Sequence, residues 1–320
     1  MRIEAPLETG LTRELFEFWF SILGEPLDLP PEVFLGAELE QNSNAVYLTR
    51  RDDGGLAGTC CLNTSKAVPV LGGLGEVATD PRLRGSGIAT ALCRQAVDDF
   101  RNLGGQALFL GTGNPDAARI YYRLGWRKLA GANVMANISN GDSPEAFLVD
   151  YTRGLGSAQI RPASPDVRIP LIPMLVLPHD WLVLDSNAAM FSTRYATQHS
   201  CMGLYRRYNH LLRDGKGAWF CAVTQDARVV GSSTARLDGS GACRVDAFTL
   251  GSHMETWTEL VASAMGWSEA AGAVAVQVVV AVEDEEKRAL FEGLGFVYDG
   301  PGEPFDLDGR RVRTELLLRR

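Results

Sequence analysis

VATDPRLRGSGIATAL, Val77 to Leu92, is the stretch that decides how this chain is read. Val77 to Thr79 have strand character and run into Asp80-Pro81, a turn signal. Two arginines and two glycines follow, then an apolar-periodic run that opens a helix. A strand end, a glycine turn and a helix start leave unpaired amides at the positive end of the helix dipole, a place suited to an anion. Gly85 and Gly87 let a ligand approach the backbone without a Cβ in the way, and Arg82 and Arg84 add charge for a pyrophosphate. A Walker A loop would need Gly-Lys-Ser/Thr, which is absent, and a dinucleotide fingerprint would need a third glycine where Thr90 stands.

Working outward, residues 11–23 carry Leu11, Leu15, Phe18, Trp19 and Ile22 on one helical face. Strand-like runs 45–50 and 56–62 flank Asp52-Asp53-Gly54-Gly55, a hairpin turn, and 74–79 is a third strand. Beyond the loop, Ile88, Leu92, Ala96 and Phe100 predict a helix over 87–103, closed by Gly104-Gly105. A short strand at 107–110 follows, and Asn114-Pro115-Asp116 starts a second helix that ends at Leu124-Gly125. Strands around Val134 and over 147–151 are expected to close the unit, and the Gly, Ser and Pro of residues 152–168 read as a linker.

The second half then repeats the first. YYRLGW, residues 121–126, is matched by LFEGLGF, residues 290–296, and Gly125 and Gly295 are 170 positions apart. The same offset carries Thr79 onto Thr249, and GLAGTCCL resembles RVVGSSTA, with Gly58 near Gly231. Three matches in one order predict two copies of one fold, domains 1–155 and 156–320.

The bulk numbers set bounds. The chain has 320 residues, 46% hydrophobic and 22% charged, enough for two cores without staples. A formal charge of −8 argues against nucleic acid or an anionic membrane as a partner and is compatible with a cationic substrate. Six cysteines form no CxxC pair and the four histidines are dispersed, so no metal site is expected. No signal peptide or membrane span is read, and the free thiols suggest a reducing, cytoplasmic setting.

The loop and the second helix together resemble the GNAT superfamily of N-acetyltransferases. V-A-T-D-P-R-L-R-G-S-G-I-A looks like its strand-loop-helix segment, with Arg84, Gly87 and Ala89 at the positions of the Gln/Arg-x-x-Gly-x-Gly/Ala pattern. Asn114, Ala117, Tyr121, Leu124, Gly125 and Trp126 resemble its Asn-x-x-Ala-x-x-x-Tyr-x-x-x-Gly-Phe helix. The resemblance covers most of residues 74–126. It implies an α/β (α+β) fold of two tandem GNAT domains, each a mixed, mostly antiparallel sheet flanked by helices. It also implies acetyl-CoA as co-substrate, with no metal, and an amine acceptor that is a small molecule or a peptide. In that frame Arg82, Arg84, Gly85, Ser86, Gly87, Ile88 and Ala89 hold the pyrophosphate. Val77, Ala78 and Thr79 pair with the pantetheine arm and Asn114 bonds it. Tyr121 is the candidate acid for the leaving thiolate, and Glu76 a candidate base.

In the second copy Glu255 and Trp257 stand where the first has Gly85 and Gly87, Phe291 stands for Tyr121 and Asp284 for Asn114. A carboxylate and an indole would obstruct phosphate oxygens there, so this copy is expected to be degenerate, with a structural or pocket-walling role. The tandem plan resembles that of mycothiol synthases, except that there the C-terminal copy is the active one. Acceptor loops are expected from residues 23–44, 63–72 and 178–217, and the assembly is expected to be a monomer or a homodimer. The rival readings are an acyl-CoA-binding regulatory module without turnover and a nucleotide-dependent oxidoreductase.

Overall fold

Two seven-stranded mixed sheets, each flanked by helices, carry the chain. The computed structural model describes residues 1–24 and 26–320. One compact unit comprises Met1–Arg153, Ser164–Ile172 and His199–Arg206, and the other Gly154–Ala163, Pro173–Gln198 and Arg207–Arg320. The units are thus not two consecutive blocks of sequence: two short later segments belong with the first.

The first unit runs β1 (Arg2–Glu4), α1 (Thr9–Leu23), α2 (Pro31–Phe34), β2 (Asn42–Arg50), β3 (Leu56–Ser65), β4 (Leu71–Thr79), α3 (Ile88–Asn102), β5 (Ala107–Gly111), α4 (Pro115–Arg123), β6 (Arg127–Lys128), β7 (Val134–Ile138) and α5 (Pro144–Tyr151). Its strand order is β1-β2-β3-β4-β5-β7-β6, antiparallel throughout except for the β4–β5 pair. The four-residue step of α3 buries Leu92, Ala96 and Phe100 against Leu74, Leu108 and Trp126, with Ile88 half-buried at the helix start. Trp126 is fully buried, and its indole N–H donates to the Leu108 carbonyl at 3.0 Å.

Two sequence expectations change. Residues 144–151 form α5 rather than a strand, because Ser143 caps the helix, its Oγ accepting the Ala146 N–H at 3.1 Å, and Pro144 takes the first turn. The presumed linker 152–168 holds an edge strand, Ala158–Pro162, and a 3-10 turn, Pro165–Val167.

Two features of β4 shape the middle of the first sheet. It pairs with β5 only at Leu71–Gly73, opposite Ala107–Phe109, and the two parallel strands then part. On its other side it bulges. Ala78 pairs with Thr59 and Gly75 with Cys61, so Glu76 and Val77 together face Cys60. Glu76 takes a left-handed φ of 47°, rare for a residue with a side chain. The bulge takes the Glu76 carbonyl out of the ladder, and the Thr59 hydroxyl donates to it at 2.9 Å. That hydroxyl accepts the Trp19 indole N–H at 2.8 Å, and both Trp19 and Thr59 are fully buried.

The second unit continues with β8 (Ala158–Pro162), α6 (Leu171–Val176), β9 (Val183–Asp185), β10 (Met190–Phe191), α7 (Gly203–His210), β11 (Gly217–Thr224), β12 (Val229–Leu237), β13 (Ala242–Thr249), α8 (Trp257–Ala270), β14 (Ala275–Ala281), α9 (Glu285–Gly293), β15 (Val297–Pro301), β16 (Phe305–Leu307), β17 (Arg310–Val312) and β18 (Thr314–Arg319), with the Ser164–Ile172 and His199–Arg206 parts of this stretch belonging to the first. Its large sheet runs β8-β11-β12-β13-β14-β18-β15, with β13–β14 as the parallel pair. Position by position this is the strand order and direction of the first sheet. The matching glycines and threonines are cross-strand partners in both, Gly58 with Thr79 and Gly231 with Thr249. Both glycines face the helix after the loop: a Cβ would lie 2.5 Å from Ile88 Cγ2 at Gly58 and 2.7 Å from Leu260 Cδ1 at Gly231. The β12–β13 register, unlike β3–β4, has no bulge.

Thr59→Val keeps the volume but leaves the Trp19 N–H and the Glu76 carbonyl without their buried partner. We expect a loss of about 2–5 kcal/mol in urea unfolding, from two orphaned polar groups. A loss below about 0.5 kcal/mol would mean that the bulge does not need this relay.

Candidate active site

The loop after β4 is tied down at its start and open at its end. Asp80 is buried and accepts the Arg82 backbone N–H at 3.0 Å and its guanidinium at 3.1 and 2.7 Å, while Arg51 adds a further ion pair. These donors, Arg82 foremost, hold the Asp80 carboxyl well below the usual carboxylate range. Arg82 is therefore engaged with Asp80, whereas Arg84 is exposed. Ser86 closes the turn, its hydroxyl donating to the Leu83 carbonyl at 2.6 Å. Gly85 and Gly87 have φ of 82° and 88°, and a Cβ at either would meet open space. Both positions need glycine for backbone conformation, and no side chain fills the ground in front of them. The amides of Ile88 and Ala89 follow at the free end of α3, whose cap residue Gly87 offers no side-chain acceptor.

A cavity of about 280 Å³ opens where β4 and β5 part. The end of α1 and the loop after it, the β4 bulge, the tip of β5, α4 and the 200–202 segment line it. It brings together Glu76, Val77, Asn114 and Tyr121, which the sequence spreads over 46 residues. Ala78 and Thr79 continue β4 toward the loop. Of the expected acceptor loops, 23–44 and 178–217 contribute lining residues, and among the described residues 63–72 contributes none.

Glu76 is 7% exposed, and its Oε2 has no hydrogen-bond partner. Its carboxyl is pushed up to about 8, chiefly because burial penalises the charge. The nearby Asp28 carboxylate raises it further, while the Leu29 amide and the Arg168 cation pull it back. It is thus poised to exchange a proton near neutral pH. Tyr121 is 6% exposed, packed at 5.8 Å between ring centroids against Trp126. Burial, then the neighbouring Cys93 and Cys60 thiols, push its phenol far above the ordinary range, so it keeps its proton at any working pH. It belongs to the core and lines the cavity at once. Asn114 caps α4, its Oδ1 accepting the Asp116 and Ala117 N–H at 2.9 and 3.4 Å, which leaves its amide nitrogen for other partners.

Three cavity or bulge residues escaped the sequence. Asp28 and Ser200 sit in loops with no motif, and Thr59 acts through a hydroxyl in an otherwise apolar strand.

The second unit differs at each corresponding place. Asp246, aligned with Glu76, is fully buried and bonded to Lys287 Nζ at 2.6 Å. Lys287, aligned with Ala117, also donates to the carbonyls of Val183 and Leu184 at 2.9 and 3.1 Å. Asp284, aligned with Asn114, accepts the Leu182 and Val183 N–H at 2.6 and 3.0 Å. The backbone around β9 thus holds the second unit's own counterparts of Asn114 and Ala117. Phe291, aligned with Tyr121, is fully buried against Trp257. Trp257 does not obstruct the loop as the sequence suggested. Its indole turns into the core and donates to the Ala247 carbonyl at 3.1 Å.

The open glycine loop, the parted strands and the free amide of Asn114 fit a coenzyme A thioester in the first unit.

The raised Glu76 carboxyl has a thermodynamic signature. Below about pH 4.5 it is protonated in both folded and unfolded chains; between there and about 8 only the unfolded chain ionises, so stability falls as pH rises. Glu76→Gln does not titrate. Its melting temperature, relative to that of the native sequence, should climb by several degrees from about pH 5 to about pH 8.5 and then level off. A difference independent of pH would contradict the burial of an ionisable Glu76.

Residues 11–126 match the acetyltransferase (GNAT) family. No curated protein sequence matches the chain. Among solved structures, the spermidine N-acetyltransferase of Vibrio cholerae in complex with CoA and spermine is 16% identical, with 51% of this chain and 95% of that one covered at a TM-score of 0.40. A GNAT-family acetyltransferase from Streptococcus pneumoniae is also 16% identical, covering 51% and 98% at 0.38. The ribosomal-protein-S5-alanine acetyltransferase of Vibrio fischeri is 13% identical, covering 51% and 93% at 0.40. Residues 11–126, then, are similar to the acetyltransferase (GNAT) family, and these solved structures are what the chain resembles.

Proposed function

We propose that the first unit transfers the acetyl group of acetyl-CoA to a primary amine by direct attack. One observation carries the reading: a buried carboxyl near its proton-exchange point, a permanently protonated phenol and a bulged strand line one cavity beside an open glycine loop. Acetyl-CoA, when bound, supplies the acyl thioester. Glu76 Oε2 takes the proton that an entering ammonium must lose. Tyr121 Oη holds the proton that a departing thiolate needs. A backbone N–H near Val77 or Ala78, beside the register shift of β4, steadies negative charge on the acyl oxygen. Asn114, beyond capping α4, bonds the cofactor arm through its amide nitrogen, and Arg84 serves the phosphates more directly than Arg82 does.

The second unit, in this reading, is a non-catalytic copy that binds no coenzyme A. The support is that Lys287 neutralises the carboxylate aligned with Glu76, and that the chain's own Leu182–Leu184 backbone engages the groups that would meet a pantetheine arm. Breaking so buried an ion pair to admit a ligand would cost about 3–5 kcal/mol. All six cysteines are buried and none is in a disulfide, which suits a reducing compartment such as the cytoplasm. Among the described residues no helix is long and apolar enough to cross a membrane.

Calorimetry and thiol release test this together. Acetyl-CoA should bind at one equivalent to the native chain and to Tyr121→Phe, and not to Gly87→Glu. Tyr121→Phe should lose about 100- to 10,000-fold in amine-dependent CoA release, the usual contribution of a positioned acid. Two equivalents would contradict the second unit's assignment. Binding without amine-dependent release would favour the regulatory-module reading.

A further inference from the structure

A second hollow of the first unit, of about 500 Å³, lies on the far side of β5 from the Glu76 cavity. In the sheet β5 stands between β4 and β7; the Glu76 cavity opens on the β4 side, and this hollow is bounded by α4, by Lys128 of β6 and by Met135 of β7. The two share only Thr112 and Asn114. They use different faces of α4: Ala117 and Tyr121 line the first, whereas Ala118 and Tyr122, about 100° further round the helix, line the second. Pro115, Ala118, Tyr122 and Met135 give the second an apolar wall. Arg119, Arg123 and Lys128, all exposed, line it too, and among the described residues no acid does. Tyr122 is 59% exposed. The Arg127 guanidinium braces it, lying 4.2 Å from the ring centre and donating to the Tyr122 and Trp126 carbonyls at 3.2 and 2.8 Å.

This concentration of positive charge runs against the trend of the chain. Residues 117–141 hold Arg119, Arg123, Arg127 and Lys128 and no Asp or Glu, in a protein of formal charge −8. Arg119 and Arg123 stand four apart on one helix, a spacing at which like charges repel. The neighbouring acids do not cancel them. Asp116 pairs only with Arg119, at 3.0 Å and with both side chains largely exposed, and Glu145 accepts the Ala130 N–H at 3.2 Å. Among the described residues Arg123 and Lys128 have no acidic partner. Nor does the fold require these cations. Helix α9 begins and ends 170 residues after α4, and at that offset the second unit has Ala289, Gly293, Val297 and Tyr298, with Glu292 in place of Tyr122.

Unpaired cations beside an apolar wall match a ligand with an anionic head and an apolar body. We propose that this hollow is a second binding site of the first unit, for a small-molecule carboxylate with an apolar body of one or two rings. Its carboxylate meets Arg123 and Lys128, and its body lies against Ala118, Tyr122 and Met135. The volume of about 500 Å³ falls among those of small-ligand sites, roughly 300–1,000 Å³. The glycine loop and the opening between β4 and β5 lie on the other side of β5, so this site is separate from a coenzyme bound there. The inference does not depend on acetyl transfer.

The test is calorimetry on the full chain with three probes. These are 1-naphthylacetate, 2-(1-naphthyl)ethanol, which has the body without the charge, and acetate, which has the charge without the body. 1-Naphthylacetate should bind at one equivalent, about 10- to 100-fold more tightly than the alcohol, the scale of a hydrogen bond to a charged group. Acetate should bind far more weakly than 1-naphthylacetate. Arg123→Gln combined with Lys128→Gln, both exposed positions, should bring the carboxylate-to-alcohol ratio to about one at an unchanged melting temperature. Tyr122→Ala should weaken both naphthyl probes and keep the ratio. Saturating acetyl-CoA should leave 1-naphthylacetate bound. No measurable binding of 1-naphthylacetate, a ratio near one in the native chain, or a ratio that the double variant keeps would overturn the proposal. Competitive displacement by acetyl-CoA would overturn it as well, because the hollow would then be part of the coenzyme's own site.

Discussion

A single hydroxyl carries a large share of this architecture. Thr59 Oγ1 donates to the carbonyl that the β4 bulge has removed from its ladder, and accepts the Trp19 indole from α1 in return. Without that exchange the bulge would bury an unpaired carbonyl, and β4 would have every reason to run straight. With it, Glu76 adopts a left-handed backbone and places its carboxyl in the cavity. The poised carboxyl depends on that satisfied carbonyl, whereas the parting of the parallel strands does not: unbulged β13 also pairs with β14 over only Ala242–Arg244.

The two units show what the same topology does with and without that device. Their large sheets share strand order, direction and the close glycine contact under the helix after the loop. One strand is bulged and the other is regular. In the first, a carboxyl at the divergence is left with an unpartnered oxygen; in the second, the aligned Asp246 is sealed by Lys287 and the neighbouring backbone. An acid with an orphan oxygen has proton chemistry to offer, and an acid in a satisfied ion pair is structural.

The sequence makes local features legible and leaves distant ones hidden. Gly85, Gly87, Asn114 and Tyr121 stand out because turn conformation, capping and helix spacing are set within a few residues. The repeat is readable for the same reason, since Gly58–Thr79 and Gly231–Thr249 recur in one order. The 147–151 run reads as a strand by its apolar residues, and the Ser143 cap with Pro144 in the first turn makes it a helix. The burial of Glu76 is another matter. It depends on Thr59 and Trp19, remote in sequence, and its acidity depends on Asp28 and Arg168. The turn of Trp257 into the core is likewise set by its partners Ala247 and Phe291 and not by its neighbours in sequence. No local pattern encodes such pairings.

The account turns on the state of one carboxyl, which can be observed directly. Carbon-13 NMR of glutamate side chains labelled at Cδ, with Glu76→Gln to assign the resonance, would follow its titration in the free protein. The structure requires a midpoint near 8, far from its ordinary 4.5. A Glu76 midpoint in the ordinary glutamate range would mean that the carboxyl is solvated, and the buried, bulge-mounted base would have to be abandoned.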